Sequence, residues 1–172
     1  YPLELGHQVI EPGIQAYTGK YVVTEHSSSI AVDTEGYLDQ RAAVSFVLYP
    51  RPFGIQAEYN VGKGPEYDKA TNTIQVKPLQ GGYATFSYYV EKWGQKFYPF
   101  VRLQYYDGGK KHELDARSYD VHDAEVGLEW HPFPHFEFLA EYTYSDRRYE
   151  DFTNTANHQK GSLFRVQAQL KF

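Results

Sequence analysis

Charged and amide side chains recur two residues apart in several stretches of the sequence. Near the end of the chain, Arg165, Gln167 and Gln169 follow one another in this way. Side chains two apart on a β-strand lie on the same face of the strand. A row of such groups can hydrate a passage for solutes and select ions by the sign and position of its charges. The residues predicted to form this polar, pore-lining wall are Arg41, Gln56, Glu58, Glu91, Arg102, Gln104, Glu125, Glu129, Glu137, Glu141, Arg165, Gln167, Gln169 and Lys171.

Two further motifs contain residue types found in catalytic and metal-binding sites. The segment His-Ser-Ser-Ser at 26–29 combines a histidine with three hydroxyls, which are residue types of hydrolases and acyltransferases. No neighbouring group orients this histidine, and the sequence has no Gly-x-Ser-x-Gly turn. His131 and His135 flank a Pro-Phe-Pro turn, so their spacing does not present two ligands to one metal ion. We therefore predict no enzymatic activity, no catalytic residue, no metal site and no cofactor.

Length and composition allow one domain, residues 1–172, with a substantial core. The net charge of −5 argues against a nucleic-acid partner, which favours a basic surface. No stretch approaches the ~20 apolar residues of a membrane-spanning helix. The low mean hydropathy does not exclude a membrane protein, because the strands of a transmembrane barrel expose apolar residues to lipid only at every second position.

Alternation of apolar and polar residues is the dominant pattern. In residues 53–61, FGIQAEYNV, every odd position is apolar and every even position is polar or Gly. The same pattern runs through the segments 82–91, 119–130, 135–145 and 161–172. Each run matches the ~9–11 residues of a tilted strand that crosses a bilayer. We predict strands at about 13–25, 40–49, 53–62, 81–91, 96–106, 119–131, 135–146 and 161–172.

The connections between these strands alternate in length. The segments 49–53, 92–97 and 131–135 are tight and rich in Pro or Gly, whereas 26–39, 62–80, 107–118 and 146–160 are longer and polar. Short turns on one rim and long loops on the other are typical of bacterial outer-membrane barrels. The cations of 108–117, GGKKHELDAR, then lie on a long loop, where they either attract anions and lipopolysaccharide phosphates or are ordinary solvated charges.

Aromatic residues cluster at two levels along the predicted strands. One level, near the loop ends, contains Tyr59, Tyr105, Tyr142 and Tyr144. Two levels about one bilayer apart match the interfacial girdles of membrane barrels. A soluble antiparallel barrel or sandwich also alternates, but the turn–loop alternation and the aromatic levels favour the membrane interpretation. The girdle predicted at the short turns consists of Tyr49, Phe53, Trp93, Phe97, Trp130, Phe133, Phe136 and Phe172.

The number of strands distinguishes a complete barrel from part of one. Eight strands can close as a small barrel. Residues 1–13, YPLELGHQVIEPG, also alternate and end in a turn-like Glu-Pro-Gly, which predicts a ninth strand. Because single-chain bacterial barrels use even numbers of strands, eight or nine strands here favour half of a larger barrel.

From about residue 50 onward the sequence resembles the phosphate-selective porin O and P family. The segments that carry the resemblance are GPEYDKATNTI (64–74), LQGGY (79–83), YPFVRLQYYDGGKKHE (98–113), VGLEWHPFPHFEF (126–138) and FRVQAQLKF (164–172). The resemblance implies a 16-stranded trimeric porin with this chain as its C-terminal half. It also implies inward arginines and a constriction built largely by the N-terminal half. The mixed charges predicted for the wall here do not form an arginine ladder.

The sequence therefore predicts an antiparallel transmembrane β-barrel in the bacterial outer membrane. Its predicted function is passive diffusion of small hydrophilic solutes or ions, with anions such as phosphate as one class. The partners expected are outer-membrane lipids and lipopolysaccharide, two further copies in a homotrimer, and the barrel assembly machinery, which recognises the terminal aromatic strand of such proteins. The alternative is a complete eight-stranded barrel with a structural, adhesion or enzymatic role; a soluble lipocalin-like binder is a third interpretation.

Overall fold

The structure, a computed structural model, describes residues 2–150 and 157–171. One turn of 3-10 helix spans Leu114–Ala116. No helix in the described ranges is both long enough and apolar enough to span a bilayer. The strands are β1 (Leu3–Leu5), β2 (Gln8–Tyr21), β3 (Tyr37–Leu48), β4 (Phe53–Asp68), β5 (Thr73–Tyr88), β6 (Val90–Lys92), β7 (Gln95–Gly109), β8 (Ser118–His131), β9 (Phe136–Tyr149) and β10 (Asn157–Leu170).

All these strands form one antiparallel sheet in the order β1-β2-β3-β4-β5-β7-β8-β9-β10. The short strand β6 pairs with β7 in continuation of β5, since Ser87 pairs with Phe100 and Val90 with Phe97. Consecutive strands are therefore neighbours throughout, as in an up-and-down barrel. Among the described residues β1 and β10 do not pair with each other, so the sheet is open. The predicted all-β, antiparallel fold with eight to nine strand positions is confirmed.

The three short turns lie where the sequence predicts them. They connect β3 to β4, β6 to β7 and β8 to β9. Trp93 and Gly94 form the central pair of the second turn with φ values of 55° and 71°. Positive φ at both central residues is the requirement of the tight hairpin turn whose twist matches that of the flanking strands. We call this side of the sheet the short-turn rim and the opposite side the long-loop rim.

The predicted loop 62–80 is wrong. β4 and β5 continue as a paired hairpin to Asp68 and Thr73, so only residues 69–72 form the loop. Asp68 closes it by accepting the backbone N–H groups of Ala70 and Thr71 at 2.9 and 3.0 Å. Lys77 crosses the hairpin to the carboxylate of Asp68 at 2.7 Å. The polar composition and the Gly64-Pro65 pair of this stretch are typical of a loop, yet Tyr67 and Ile74 pair across the hairpin and are buried.

The predicted turn at Glu11-Pro12-Gly13 is also wrong. These residues lie inside β2, and the chain turns earlier, at Gly6 and His7, where Gly6 has a φ of 62°. β1 pairs with β2 only as far as Ile10. Pro12 therefore lies beyond the last residue that β1 pairs with, where its missing N–H breaks no bond to β1.

The long-loop rim has its own small apolar core. Val23, Ile30, Tyr67, Ile74 and Ala116 are buried together there. They come from the loop 22–36, from the extended β4–β5 hairpin and from residues 110–117. This packing holds segments that are distant in sequence against one another at one end of the sheet.

Candidate pore-lining face

The register of the sheet brings the predicted polar residues to one face. Gln56 pairs with Thr85, which pairs with Arg102, which in turn pairs with Glu125. Partners across an antiparallel pair share a face, so every predicted wall residue within a strand lies on this side. Lys171 follows β10, and its Nζ lies 3.4 Å from the carboxylate of Glu137. We call this side the polar face; that it lines a pore stays a prediction.

Acidic and basic groups on the polar face compensate one another. Arg165 Nη2 lies 2.6 Å from Oε1 of the buried Glu141 on the neighbouring strand. Arg102 stacks over the ring of Tyr83, with 4.4 Å between the guanidinium carbon and the ring centroid. The face is therefore a mixed wall rather than a row of cations.

The opposite face is apolar and exposed. One cross-strand row runs through Ile55, Phe86, Val101, Val126 and Tyr142. It ends at Phe164 of β10, whose side chain is 67% exposed. A continuous exposed apolar surface of this length is what a sheet needs where it faces something other than water.

Aromatic residues bound this apolar face at both rims. Phe53, Phe97, Trp130 and Phe136 share it at the short-turn rim by strand parity, and the Phe97 and Trp130 rings stack with centroids 6.2 Å apart. The loop-side level of tyrosines shares it too. Tyr59 donates to the side-chain oxygen of Gln80 at 2.9 Å, and the Gln80 amide donates to the hydroxyl of Tyr105 at 3.3 Å. Eight residues separate Phe97 from Tyr105, or about 26 Å along the strand.

Three predicted girdle residues lie elsewhere, and a fourth cannot be placed. Tyr49 is on the polar side instead, because its hydroxyl donates to the carboxylate of Glu11 at 2.9 Å. Trp93 and Phe133 are exposed in the short turns, beyond the strands. Phe172 lies outside the described residues.

Residues 110–117, which we call the crossing loop, fold over the polar face. The loop connects β7 to β8, yet its Lys111 ion-pairs with Asp39 of β3. Three strand spacings, about 14 Å, separate β7 from β3 in the sheet. Gly108 enters the loop with a φ of 136°, and a Cβ on Gly109 would come within 2.3 Å of the Pro65 carbonyl oxygen. The two glycines therefore let the end of β7 press against the β4–β5 hairpin.

Asp39 is the residue of β3 that binds the crossing loop, through its ion pair with Lys111. It is buried, and its carboxylate also accepts the Tyr17 hydroxyl at 3.0 Å and the Arg41 Nε at 3.3 Å. Burial disfavours the charge of Lys111, but the hydrogen bond and the attraction of Asp39 outweigh it, so the pKa of Lys111 is raised. Burial lowers the pKa of the adjacent Lys110. Lys111 is thus held as a charged anchor.

A second anchor joins the crossing loop to the loop 22–36. The buried carboxylate of Asp115 accepts the backbone N–H of Ser27 at 2.6 Å and its hydroxyl at 2.8 Å. The Asp115 N–H donates to the Glu25 carbonyl at 2.9 Å. Asp115 and Ala116 have φ values of 61° and 48°, an uncommon region for residues other than Gly. The hydroxyl of Ser27, which belongs to the His-Ser-Ser-Ser motif, therefore has a structural partner.

Sequence reasoning missed the residues of these anchors. Asp39, Lys111 and Asp115 lay in segments predicted only as loops, and tertiary packing brings Lys111 to Asp39 and Asp115 to Ser27. The pair Gly108-Gly109 was the available signal, because two glycines at a strand end permit a close approach to another segment.

An antiparallel meander with one polar face and one apolar face bounded by two aromatic levels is typical of the class of outer-membrane β-barrel proteins. Within this class, the model of the family described as "phosphate-selective porin O and P" matches residues 8–172. The chain belongs to this family of bacterial outer-membrane porins. No curated protein and no solved structure matches the chain.

Proposed function

We propose that the polar face lines a water-filled pore for passive diffusion of small hydrophilic solutes and ions, including anions such as phosphate. The observation that carries the proposal is the crossing loop, which lies over this face and is fixed to it by Lys111 and Asp39. A loop held across a polar wall narrows the passage beside it, as a porin requires if it is to select its solutes.

The proposed constriction differs from the one that the family resemblance implied. The resemblance implied that the narrowest point of the pore is built largely by segments outside this chain. Here the cations Lys110, Lys111 and Arg41 line one cleft, in which they outnumber the carboxylate of Glu113. We propose that this cationic cleft attracts anions to the narrow region, whereas the carboxylates lower on the wall hydrate the passage.

The same proposal orients the protein in the membrane. Short turns face the periplasm and long loops face outward in bacterial barrels. Beyond the loop-side tyrosines the apolar face changes to charged residues, among them Asp146 and Lys160 at 2.8 Å. These groups are proposed to lie among lipopolysaccharide headgroups. The outer edge of β10 is proposed to pair with a further strand on barrel closure, after delivery by the assembly machinery. Assembly as a homotrimer remains a prediction.

Ion selectivity tests this proposal. Arg102→Ala or Arg165→Ala should shift the reversal potential only modestly toward cations, because both lie outside the proposed constriction. Replacing Glu125 and Glu129 together with Gln should shift it toward anions. The measurement is planar-bilayer recording of the full-length protein under a salt gradient. Asp120→Asn is the control, since Asp120 lies on the opposite face of the same strand.

Two outcomes would contradict the proposal. A folded protein that produces no current would exclude the pore. Complete loss of anion preference from Arg102→Ala alone would place the selective region at Arg102 and not at the crossing loop.

A further inference from the structure

A histidine and two glutamates meet on the polar face at the short-turn rim. Glu129 and His131 belong to the end of β8, and Glu137 belongs to the start of β9. Glu129 and His131 are two residues apart and so share a face. Glu137 lies across from His131, one step beyond the paired residues Trp130 and Phe138. One ligand atom from each of the three side chains lies within 4.8 Å of the other two.

The surroundings hold these side chains in place. His131 Nε2 lies 2.5 Å from the Glu129 carboxylate. The ring of Tyr98 packs edge-on against the imidazole with centroids 5.5 Å apart. All three candidate ligands are half-buried. The Nζ of Lys171 lies 3.4 Å from Glu137, but this lysine side chain is 60% exposed and has room to move away from an arriving cation.

We propose that Glu129, His131 and Glu137 bind a divalent transition-metal ion, with zinc as the best match. Imidazole nitrogen and carboxylate oxygen are both zinc ligands, and three protein ligands leave a fourth position for water or a solute anion. Calcium and magnesium favour oxygen-only sets, which this group is not. A bound ion would offset two carboxylate charges at one end of the polar face. This inference is independent of whether that face conducts solutes.

Direct zinc binding tests the inference. The full-length protein, purified in detergent and stripped with a chelator, is dialysed to equilibrium against zinc alone. We expect one zinc ion per chain. His131→Gln and Glu137→Gln should each weaken binding at least about tenfold, because loss of an outer-shell partner alone commonly costs that much. The two variants lie on different strands, so failure of one to fold leaves the other to decide.

His122→Gln is the matched control. His122 Nε2 also lies beside a carboxylate, 3.0 Å from Asp120, but on the apolar side of the sheet and outside the group of three. Its substitution should leave zinc binding unchanged. Absence of zinc binding by the unsubstituted protein would overturn the inference, and so would equal binding by a folded His131→Gln or Glu137→Gln protein.

Discussion

Asp115→Ala is expected to raise the single-channel conductance of the protein. The substitution leaves the N–H and the hydroxyl of Ser27 without their carboxylate acceptor. Hydrogen bonds to a charged group contribute about 1.5–3 kcal/mol each. A combined loss of about 3 kcal/mol would favour release of the crossing loop by roughly a hundredfold. Release also relieves the positive φ of Asp115 and Ala116, so the loop should leave the polar face and widen the pore.

The control for this prediction is Asp33→Ala. Asp33 lies in the loop 22–36 on the same rim, but within the described part of the chain its side chain accepts only the local N–H of Glu35, at 2.9 Å. The double substitution Asp115→Ala with Lys111→Met should raise the conductance further, because both anchors are then gone. Planar-bilayer conductance of folded protein is the readout. An Asp115→Ala conductance equal to that of the unsubstituted protein would show that the loop does not narrow the passage.

Val166→Arg is expected to prevent assembly of the folded protein in the outer membrane. Val166 pairs with Ala140 on the apolar face, between the two aromatic levels. An arginine near the middle of the bilayer on a lipid-facing strand costs about 2–4 kcal/mol. Charged substitutions at Phe138 should act in the same way, and at Leu170 more weakly because it lies nearer the rim. The fraction of heat-modifiable folded protein in outer-membrane preparations measures the effect.

Gln167→Arg is the matched control for Val166→Arg. Gln167 is the next residue of β10 and pairs with Leu139 on the polar face. The same side chain placed there should be tolerated, because it faces the side on which Arg165 already lies. Equal tolerance of arginine at both positions would contradict a membrane location for the apolar face.

The sequence predicts the strands that have one apolar face well, because period-two alternation is a direct consequence of such a face. The strands around 53–61 and 161–170, and all three short turns, follow from this pattern and from Pro and Gly positions. The prediction failed at 62–80 and at Pro12, where the strands continue through polar stretches with Gly and Pro that are typical of loops and turns. Alternation indicates that a strand has one apolar face, and it does not fix how far two strands pair.

The residues of the candidate site likewise fall into those that a local sequence pattern predicts and those that it does not. Residues such as Arg102 and Glu125 were placed on one face correctly because facing depends only on parity. The Lys111–Asp39 pair depends on how a loop folds back over three strands. The cluster of Glu129, His131 and Glu137 depends on the register between two strands. Neither tertiary arrangement has a local pattern in the sequence.

Single-cysteine labelling of β10 tests the central claim most directly, and the chain has no cysteine of its own. Cysteines are placed one at a time at residues 164–169, and a charged, membrane-impermeant thiol reagent is added to the conducting protein. Current should fall for cysteines at Arg165, Gln167 and Gln169, and stay unchanged for those at Val166 and Ala168. Block without alternation, or block confined to the even positions, would contradict a polar face that lines the pore.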